Sequence, residues 1–533
     1  MKRIHLITAL VLCLASAAKA QVMEVRIVPE PSLVRYDRGS FIFKESTVIN
    51  ISDENLSLSV GIFASQVEAI LGFSPVIDRG KTTKNSLALS VNEAYAMEAY
   101  TLDIMSHGIS VVGGSPQGVF HGLQSLRQIL ISCRGAKSTR LPALHIEDKP
   151  FFGYRGMMLD VCRHFRTVDD VKVFLDILSM HKINVFHWHL TDDQGWRIAI
   201  DKYPRLSKIG SERAETVIGH AARSKEYDGV PYGKGMYYTK EQVREVIRYA
   251  ADRHIEVIPE IEMPGHALAA LAAYPELGCR GMGYKVSPTW GIFDDVYCAG
   301  KDGTFDLLED VLAEVIELFP SQYIHIGGDE CPKARWKECP LCQKRIAENG
   351  LADEDELQSY FMKRIEKFVN SRGKSIIGWE EILEGGISPT VTLMAWKRPE
   401  ARIEAAQKGN RVIYVPKQHA YLDYYQSADT ANEPFSIGGY VPVSKVYEID
   451  PYVGLANREK GTVRGVQANL WTEYIKTMDH VEYMVLPRLA AIGEASWSYD
   501  RKDYDGFVRR MESLRKLYEL NGYRYATHIF TNN

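Results

Sequence analysis

The sequence has little of what marks a membrane protein or a nucleic-acid-binding protein. After residue 20, no apolar run is long enough to span a bilayer, so no membrane span is expected. Positive charge is not in excess either, because 64 Lys and Arg stand against 68 Asp and Glu. Nucleic acid and anionic membrane are therefore not expected as partners. The apolar fraction of 45% and the charged fraction of 25% are ordinary for globular proteins, and the length suits two or three domains.

Residues 1–20 are interpreted as a signal peptide. Lys2 and Arg3 precede an apolar run over 4–18, and Ala18-Lys19-Ala20 has the small-x-small pattern of a cleavage site. We expect the mature chain to begin near Gln21 and to be exported to the periplasm or the extracellular space. Removal of the leader takes away three basic residues and no acidic one, which leaves 61 basic against 68 acidic residues and a net charge near −7.

Cysteine is scarce and unevenly placed. Seven of the eight cysteines lie beyond the leader; Cys279 and Cys298 flank a loop, and Cys331, Cys339 and Cys342 cluster further on. Export would favour disulfides among them. Cys339-Pro-Leu-Cys342 has the spacing of a zinc knuckle, but a second pair at matching spacing is missing. A local disulfide or buried free thiols are therefore favoured over structural zinc, and the pairing is left open.

Two different patterns meet near residue 150. Over 21–150, short β-rich runs such as 100–104 and 108–112, followed by helical apolar spacing over 116–130, predict a small α/β domain. This segment has no histidine cluster or phosphate loop. We interpret it as an accessory domain with a packing role.

Residues 151–500 alternate short apolar strands with amphipathic helices, which is typical of parallel βα units. Strands are predicted at 156–160, 184–190, 256–260, 323–327, 375–379, 392–396, 411–415 and 465–470, and helices fall between most of them, for example at 168–182, 240–253, 304–319 and 354–372. Eight such units predict a closed (β/α)8 barrel, the TIM-barrel class of α/β folds. Over 501–533, apolar residues at helical spacing predict a covering helix at 504–520 and a tail.

Two adjacent acids, Asp329 and Glu330, directly follow the fourth predicted strand. Successive side chains of a strand point to opposite sides, so the two carboxylates would normally diverge. We expect a twist after Gly327-Gly328 to let both face one cavity, with separate roles. An Asp-Glu pair by itself more commonly ends a strand and begins a solvated loop.

Polar and aromatic residues also follow nearly all of the remaining strands. They are Arg163 and His164 after the first; His187, His189, Asp192, Asp193 and Trp196 around the second; Glu260, Glu262 and His266 at the third; Trp379 at the fifth; Trp396 at the sixth; Tyr421 and Asp423 after the seventh; and Trp471 and Glu473 after the eighth. Barrel enzymes react at the carboxyl ends of their strands. Aromatic faces pack on apolar sugar surfaces, while carboxylates and Arg make directed hydrogen bonds to hydroxyls. The collection predicts a carbohydrate pocket.

Four segments, in this order, resemble the family 20 glycoside hydrolases, the β-N-acetylhexosaminidases. They are RGMMLDVCRHF at 155–165, HWHLTDDQGWR at 187–197, PEIEMPGH at 259–266 and HIGGDE at 325–330. The preceding α/β domain is also similar to the accessory domain of that family. One departure is Glu262, where the family more often has Asp, and the extra methylene changes its hydrogen-bonding reach. The resemblance implies exo-acting hydrolysis of glycans that end in N-acetylglucosamine or N-acetylgalactosamine, with no cofactor and no metal at the site.

The resemblance also implies a retaining, substrate-assisted mechanism, in which the 2-acetamido oxygen of the substrate attacks the anomeric carbon and forms an oxazolinium ion. Glu330 would protonate the leaving oxygen and later activate water, which requires a pKa raised by burial and neighbouring charge. Asp329 would hold the acetamido N–H and stabilise positive charge. Tyr421 would donate its hydroxyl to the acetamido oxygen.

The remaining implied roles concern binding and tuning. Trp379, Trp396 and Trp471 would wall the acetyl group and exclude water. Arg163 and Glu473 would bind the 3- and 4-hydroxyls, and Asp423 the 6-hydroxyl or its neighbour. Asp192 and His266 would form a relay that tunes Glu330.

Two other interpretations remain open from the sequence. His187-x-His189, with His266, His325 and Asp329, could serve a metal-dependent hydrolase of the amidohydrolase type. In that class the histidine pair closes the first strand, whereas here it closes the second, and the aromatic residues would lack a purpose. A catalytically silent glycan-binding protein is the other possibility, which the intact acidic pair disfavours. Sugar preference, linkage, sulfation, the natural glycan and the oligomeric state are not determined.

Overall fold

A sheet domain precedes a closed barrel in this chain. The computed structural model describes residues 24–80, 84–135 and 138–530. The predicted signal peptide and its cleavage site lie outside these residues. Among the described residues, no helix combines the length and the apolar character needed to cross a membrane.

The N-terminal domain is a seven-stranded mixed sheet with two helices. In spatial order its strands are Leu33–Phe43, Thr139–Asp148, Tyr100–Met105, Gly108–Gly113, Ser86–Val91, Val48–Ile51 and Val76–Asp78, and its helices are Ser57–Leu71 and Pro116–Ser132. The pairs formed by the first four strands are antiparallel and the others are parallel. The predicted small α/β domain is confirmed.

Eight parallel strands close into the predicted barrel. They are Tyr154–Asp160, Val185–His189, Glu256–Met263, Tyr323–Gly327, Ser375–Trp379, Thr392–Ala395, Arg411–Tyr414 and Val463–Leu470, and the last pairs with the first. Each lies within a few residues of its predicted position. Their inward side chains form an apolar cluster that includes Ile258, Ile377, Met394 and Ile413.

Helices surround the barrel, and the larger ones are Val168–Met180, Lys240–Ala251, Asp302–Leu318, Glu354–Ser371, Pro399–Gln407, Met478–Val485 and Arg488–Trp497. Thr167 begins the first of these with a capping box that includes Asp170. One unit departs from the regular pattern, because the fifth strand is followed by only a 3-10 turn, Glu380–Leu383. That turn leads directly to the sixth strand and lies at the mouth of the barrel.

The C-terminal helix Tyr504–Asn521 joins the two domains. It packs on the accessory helix Pro116–Ser132, where the Ser513 hydroxyl donates to Gln128 Oε1 at 3.1 Å. On the barrel side, Tyr518 Oη and His181 Nε2 are 2.7 Å apart. The predicted covering helix therefore covers the domain junction.

A buried ion pair also crosses the domain junction. Asp148, which ends the last strand of the accessory sheet, lies 3.0 Å from the ammonium of Lys182 in the barrel domain, and neither side chain is exposed. The other Asp148 oxygen accepts the indole N–H of Trp497 at 2.9 Å. The domains thus share hydrogen bonds as well as apolar contact.

Candidate active site

The turn after the fourth barrel strand determines where the acidic pair points. Gly327 and Gly328 have φ values of +65° and +99°, and Glu330 itself has φ of +43°. A Cβ atom on Gly327 would lie 1.7 Å from Glu262 Oε1, so only glycine fits there. The left-handed backbone at Glu330 is uncommon for a residue with a side chain, and such conformations are often found at functional sites.

All eleven residues predicted for the site line one cavity at the carboxyl ends of the barrel strands. They are Arg163, Asp192, His266, Asp329, Glu330, Trp379, Trp396, Tyr421, Asp423, Trp471 and Glu473. Four further lining residues were not assigned to the site from the sequence: His189, Lys417, Tyr424 and Ile437. His189 was predicted only as part of the polar group around the second strand and as a possible metal ligand. Lys417 and Tyr424 lie close to Tyr421 in the chain, whereas Ile437 belongs to a long loop without a sequence signal.

Glu330 faces a histidine that carries a proton. His266 Nε2 lies 3.7 Å from Glu330 Oε2, and its Nδ1 donates to Asp193 Oδ2 at 2.9 Å, with Asp192 Oδ1 at 3.4 Å. Burial would lower the pKa of His266, but these aspartates hold it well above its usual range. The hydrogen-bonded partner of His266 is thus Asp193, which was not assigned to the site from the sequence.

The expected raised pKa of Glu330 is wrong for the unliganded protein. Burial alone would raise it, but the positive charge of His266, 3.7 Å away, with smaller contributions from Lys397 and Arg163, brings the pKa of Glu330 below its usual value. The carboxylate form is therefore favoured before a sugar binds. The sequence expectation failed because it did not include the protonated histidine.

Asp329 is buried next to another carboxyl group, that of Glu262. Burial raises the pKa of Asp329, while His266 opposes the shift. Glu262 lies beside it, and burial together with the Asp329 charge raises the pKa of Glu262 well above the usual range. Glu262 Oε1 accepts the N–H of Gly328 at 3.2 Å, so the longer side chain supports the turn.

Arg163 occupies a corner of the cavity that is rich in carboxylates. Its guanidinium lies 3.2 Å from Asp160, 2.9 Å from Asp192 and 3.9 Å from Glu473, and 5.1 Å from the centre of the Trp471 ring. Burial would lower its pKa, but these carboxylates, led by Asp192, raise it well above its usual range. Arg163 is thus a fixed cation with a planar array of donors.

Aromatic rings form one side of the cavity. The Tyr421 ring stacks on Trp396 at 5.8 Å and 15°, and Trp471 lies 6.2 Å from Trp379 and 6.5 Å from Tyr421. The indole N–H of Trp396 donates to Glu381 Oε2 at 3.1 Å. Burial raises the pKa of Tyr421 well above its usual range, so its hydroxyl remains a donor.

Asp423 offers an unused acceptor in the cavity. Its Oδ1 is buried and lacks a hydrogen-bond partner in the described part of the chain. Burial, and then the charge of Glu473, raise the pKa of Asp423 well above its usual range. A carboxyl group held in this state can both donate to and accept from a hydroxyl.

Comparison with known proteins agrees with this geometry. The family model described as "Glycosyl hydrolase family 20, catalytic domain" matches residues 152–500, and the one described as "Glycosyl hydrolase family 20, domain 2" matches residues 24–149. The chain belongs to glycosyl hydrolase family 20. It is accordingly a glycosidase.

Individual relatives of this family 20 enzyme extend over nearly the whole chain. A beta-hexosaminidase of Porphyromonas gingivalis is 44% identical over 97% of this chain and 67% of its own length. Among solved structures, an exo beta-N-acetylglucosaminidase of Vibrio harveyi superposes with a TM-score of 0.82 at 30% identity, over 94% of this chain and 78% of that one. The N-acetyl-beta-hexosaminidase of Streptomyces plicatus superposes with a TM-score of 0.81 at 32% identity, over 94% of this chain and 96% of that one.

The histidines that suggested a metal enzyme surround a buried carboxylate in the family 20 enzyme. His187 and His325 lie 3.2 and 2.8 Å from Glu260, and His189 also hydrogen-bonds it. Burial would raise the pKa of Glu260, but the three histidines, led by His325, lower it well below its usual range. These side chains serve as partners for one another in the barrel interior. The amidohydrolase interpretation is not supported.

The cysteines agree with one of the two alternatives favoured from the sequence, buried free thiols. Cys279, Cys298, Cys339 and Cys342 come together, and all four are free thiols in the structure. The second pair that the sequence lacked at matching spacing is Cys279 with Cys298, delivered by a different loop. A local disulfide within the Cys339–Cys342 motif is not observed.

Proposed function

We propose that this family 20 enzyme is an exo-acting β-N-acetylhexosaminidase. It removes a terminal, non-reducing N-acetylglucosamine or N-acetylgalactosamine from glycans, with retention and through an oxazolinium intermediate formed by the substrate's own acetamido group. The observation that carries the proposal is the position of Asp329 beside Glu330 in a cavity walled by three tryptophans. The Asp329 carboxylate can accept the N–H of an acetamido group on a sugar bound there.

Asp329 and Tyr421 orient the attacking group in the proposed mechanism. Asp329 accepts the acetamido N–H, and Tyr421 donates its hydroxyl to the acetamido oxygen. This places the oxygen below the anomeric carbon, and the Asp329 carboxylate stabilises the positive charge that develops when the ring closes. The rings of Trp379, Trp396 and Trp471 exclude water that could intercept the cyclic ion.

Glu330 supplies the proton to the leaving oxygen and later removes one from water. A bound sugar displaces solvent from Glu330, and this further burial raises its pKa from the depressed value of the free enzyme. The protonated His266, 3.7 Å away, opposes this rise, and Asp193 accepts a hydrogen bond from its other nitrogen. Substrate binding and protonation of Glu330 are therefore coupled.

The exo mode follows from the hydrogen bonds that the cavity makes to the sugar's outer hydroxyls. Arg163 and Glu473 bind the 3- and 4-hydroxyls, and Asp423 binds the 6-hydroxyl or its neighbour. Hydroxyls bound by the protein in this way are not free to carry a further sugar. The structure of the Vibrio harveyi relative holds N-acetylglucosamine, which supports a pocket for a single residue.

The first prediction tests the acid/base role. Glu330→Gln should lower turnover of a natural oligosaccharide roughly 100-fold or more, because Gln cannot protonate the leaving oxygen. Aryl glycosides with good leaving groups should lose much less. Both rates are measured with purified enzyme, for p-nitrophenyl N-acetyl-β-glucosaminide and for a chitin oligomer. Equal losses on the two substrates would count against this role.

Substrate assistance has its own test. The enzyme should hydrolyse N-acetylated glycosides far faster than the matching glucosides, and a thiazoline analogue of the cyclic intermediate should inhibit it strongly. Comparable rates on glucosides, or no inhibition, would contradict the mechanism while leaving the glycosidase assignment intact.

We further propose that the protein is exported, on the sequence pattern of residues 1–20. Fractionation of the producing cells, with N-terminal sequencing of the recovered protein, tests this. A mature N-terminus near Gln21 is the expected result.

A further inference from the structure

Four cysteine thiols meet outside the sugar cavity, between the loops that follow the third and fourth barrel strands. The Sγ atoms of Cys279 and Cys342 are 3.9 Å apart, those of Cys298 and Cys339 3.7 Å, and those of Cys298 and Cys342 3.6 Å. All four sulfurs lie within 4.8 Å of one another, and only Cys279 is partly exposed.

These distances match the edges of a metal-centred tetrahedron. Four thiolates around zinc at about 2.3 Å have sulfur–sulfur separations of about 3.8 Å, whereas bonded disulfide sulfurs are about 2.05 Å apart. In a pair of disulfides, each sulfur would lie much closer to one sulfur than to the other two. Cys298 Sγ instead lies almost equally far from Cys339 and Cys342. We propose that Cys279, Cys298, Cys339 and Cys342 bind one structural zinc ion as a four-thiolate site.

The backbone around the sulfurs fits this assignment. Cys339-Pro-Leu-Cys342 has the knuckle spacing and opens the helix Pro340–Asn349. A Cβ atom on Gly300 would lie 2.2 Å from the Leu341 carbonyl carbon, so the two halves of the site are in direct backbone contact.

Two cations lie next to the loops that carry the cysteines. The Lys301 ammonium donates to the carbonyl of Gly278 at 2.7 Å, and the Arg345 guanidinium donates to the carbonyl of Gly300 at 3.2 Å. Both are thus anchored on residues adjacent to, or near, the ligands.

The site would connect the two loops that carry the acid/base machinery. Near the cluster, the indole N–H of Trp336 donates to the carbonyl of Tyr297 at 2.9 Å, and the N–H of Tyr297 donates to the carbonyl of Pro264 at 3.0 Å. Pro264 lies two residues before His266, and Trp336 follows Glu330 in the neighbouring loop. Zinc would therefore stabilise the positions of His266 and Glu330 relative to each other without contacting the sugar.

Metal content and thiol count test the proposal on the full mature chain, purified without reductant or chelator. Elemental analysis should find about one zinc per chain. Alkylation in denaturant with chelator, read by mass spectrometry, should modify all seven cysteines found as free thiols. Two disulfides in the cluster would protect four of these, leaving three, and would overturn the proposal. Absence of bound zinc would also overturn it.

Variants connect the metal to these ligands. Cys342→Ser should lose the bound zinc and lower the melting temperature, whereas Cys133→Ser, a cysteine of the accessory domain, should keep both unchanged. Should Cys342→Ser not fold, wild-type enzyme can be titrated with a mercurial reagent: zinc release in step with thiol modification supports the site. Zinc released without loss of free thiols, or retained in Cys342→Ser, would refute it. None of these readouts depends on glycosidase activity, so failure here is distinct from failure of the proposed function.

Discussion

At the scale of single residues, His266 controls the protonation state of the site. It lies between the Asp192 and Asp193 carboxylates on one side and Glu330 on the other. Because the aspartates hold it protonated, its charge lowers the pKa of Glu330. The motif residues were visible in the sequence, but the direction of the shift depends on distances that only the folded chain sets.

Replacing His266 should move the pH profile. His266→Gln removes the positive charge, 3.7 Å away, that lowers the pKa of Glu330, so that pKa should rise. Activity of the free enzyme needs protonated Glu330 and falls as pH rises through its pKa. The alkaline limb of kcat/KM should therefore shift to higher pH, even though the maximal rate decreases. A limb that does not move would contradict this coupling.

Asp329→Asn should separate orientation from proton transfer. The amide removes the negative charge that stabilises the cyclic cation, so kcat should fall roughly 100-fold or more, for activated aryl glycosides as well as for oligosaccharides. This differs from Glu330→Gln, which should spare aryl substrates. Near-normal activity in a correctly folded variant, checked by circular dichroism, would refute the assignment.

At the scale of elements, the fourth strand and its turn aim the two acids. The strand Tyr323–Gly327 was predicted from its apolar run, and the need for a twist was predicted from Gly327-Gly328. The left-handed conformation of Glu330 itself, and the contact of Glu262 with this turn, could not be predicted. They depend on packing against the third strand, which is more than 60 residues earlier in the chain.

Two glycines with similar backbone angles allow a matched test of the turn. Gly327→Ala and Gly373→Ala both place Ala at positive φ, +65° and +76°, which costs about 1–2 kcal/mol in each case. Only at Gly327 does the new Cβ collide with another residue, Glu262, whereas Gly373 has open space. Gly327→Ala should lose roughly 100-fold in kcat/KM, and Gly373→Ala should remain close to wild type. Similar activities in the two variants would show that the turn tolerates displacement.

At the scale of the whole molecule, the accessory domain and the barrel form one packed unit. A continuous apolar core extends through both, and the C-terminal helix contacts each of them. The buried pair of Asp148 and Lys182 adds a charged contact between them. The predicted packing role of the accessory domain therefore has a specific structural basis at this junction.

Removing one partner of that pair should destabilise the protein. Lys182→Met leaves the Asp148 carboxylate buried without its cation, which should lower the free energy of unfolding by an amount on the order of 3 kcal/mol. The loss is not larger because Tyr100 and Trp497 still donate hydrogen bonds to Asp148. The control is Lys408→Met, whose partner Glu404 is 2.7 Å away but half exposed, and which should cost under about 1 kcal/mol. Thermal unfolding should show a clearly larger decrease for Lys182→Met. Equal decreases would mean that the junction contributes little to stability.

The sequence alone indicated the order of the main strands and helices, the barrel, and eleven of the fifteen residues that line the cavity. Apolar periodicity is local, and the carboxyl ends of parallel strands must converge, so Arg163, Asp329, Tyr421 and Glu473 could be grouped before any coordinates were known. Tertiary structure alone decided that Glu330 is more acidic than usual, that Asp193 holds His266, and that four distant cysteines meet. Each of these depends on distances between loops, and neither a pKa nor a metal site can be read from residues whose separation in space is unknown.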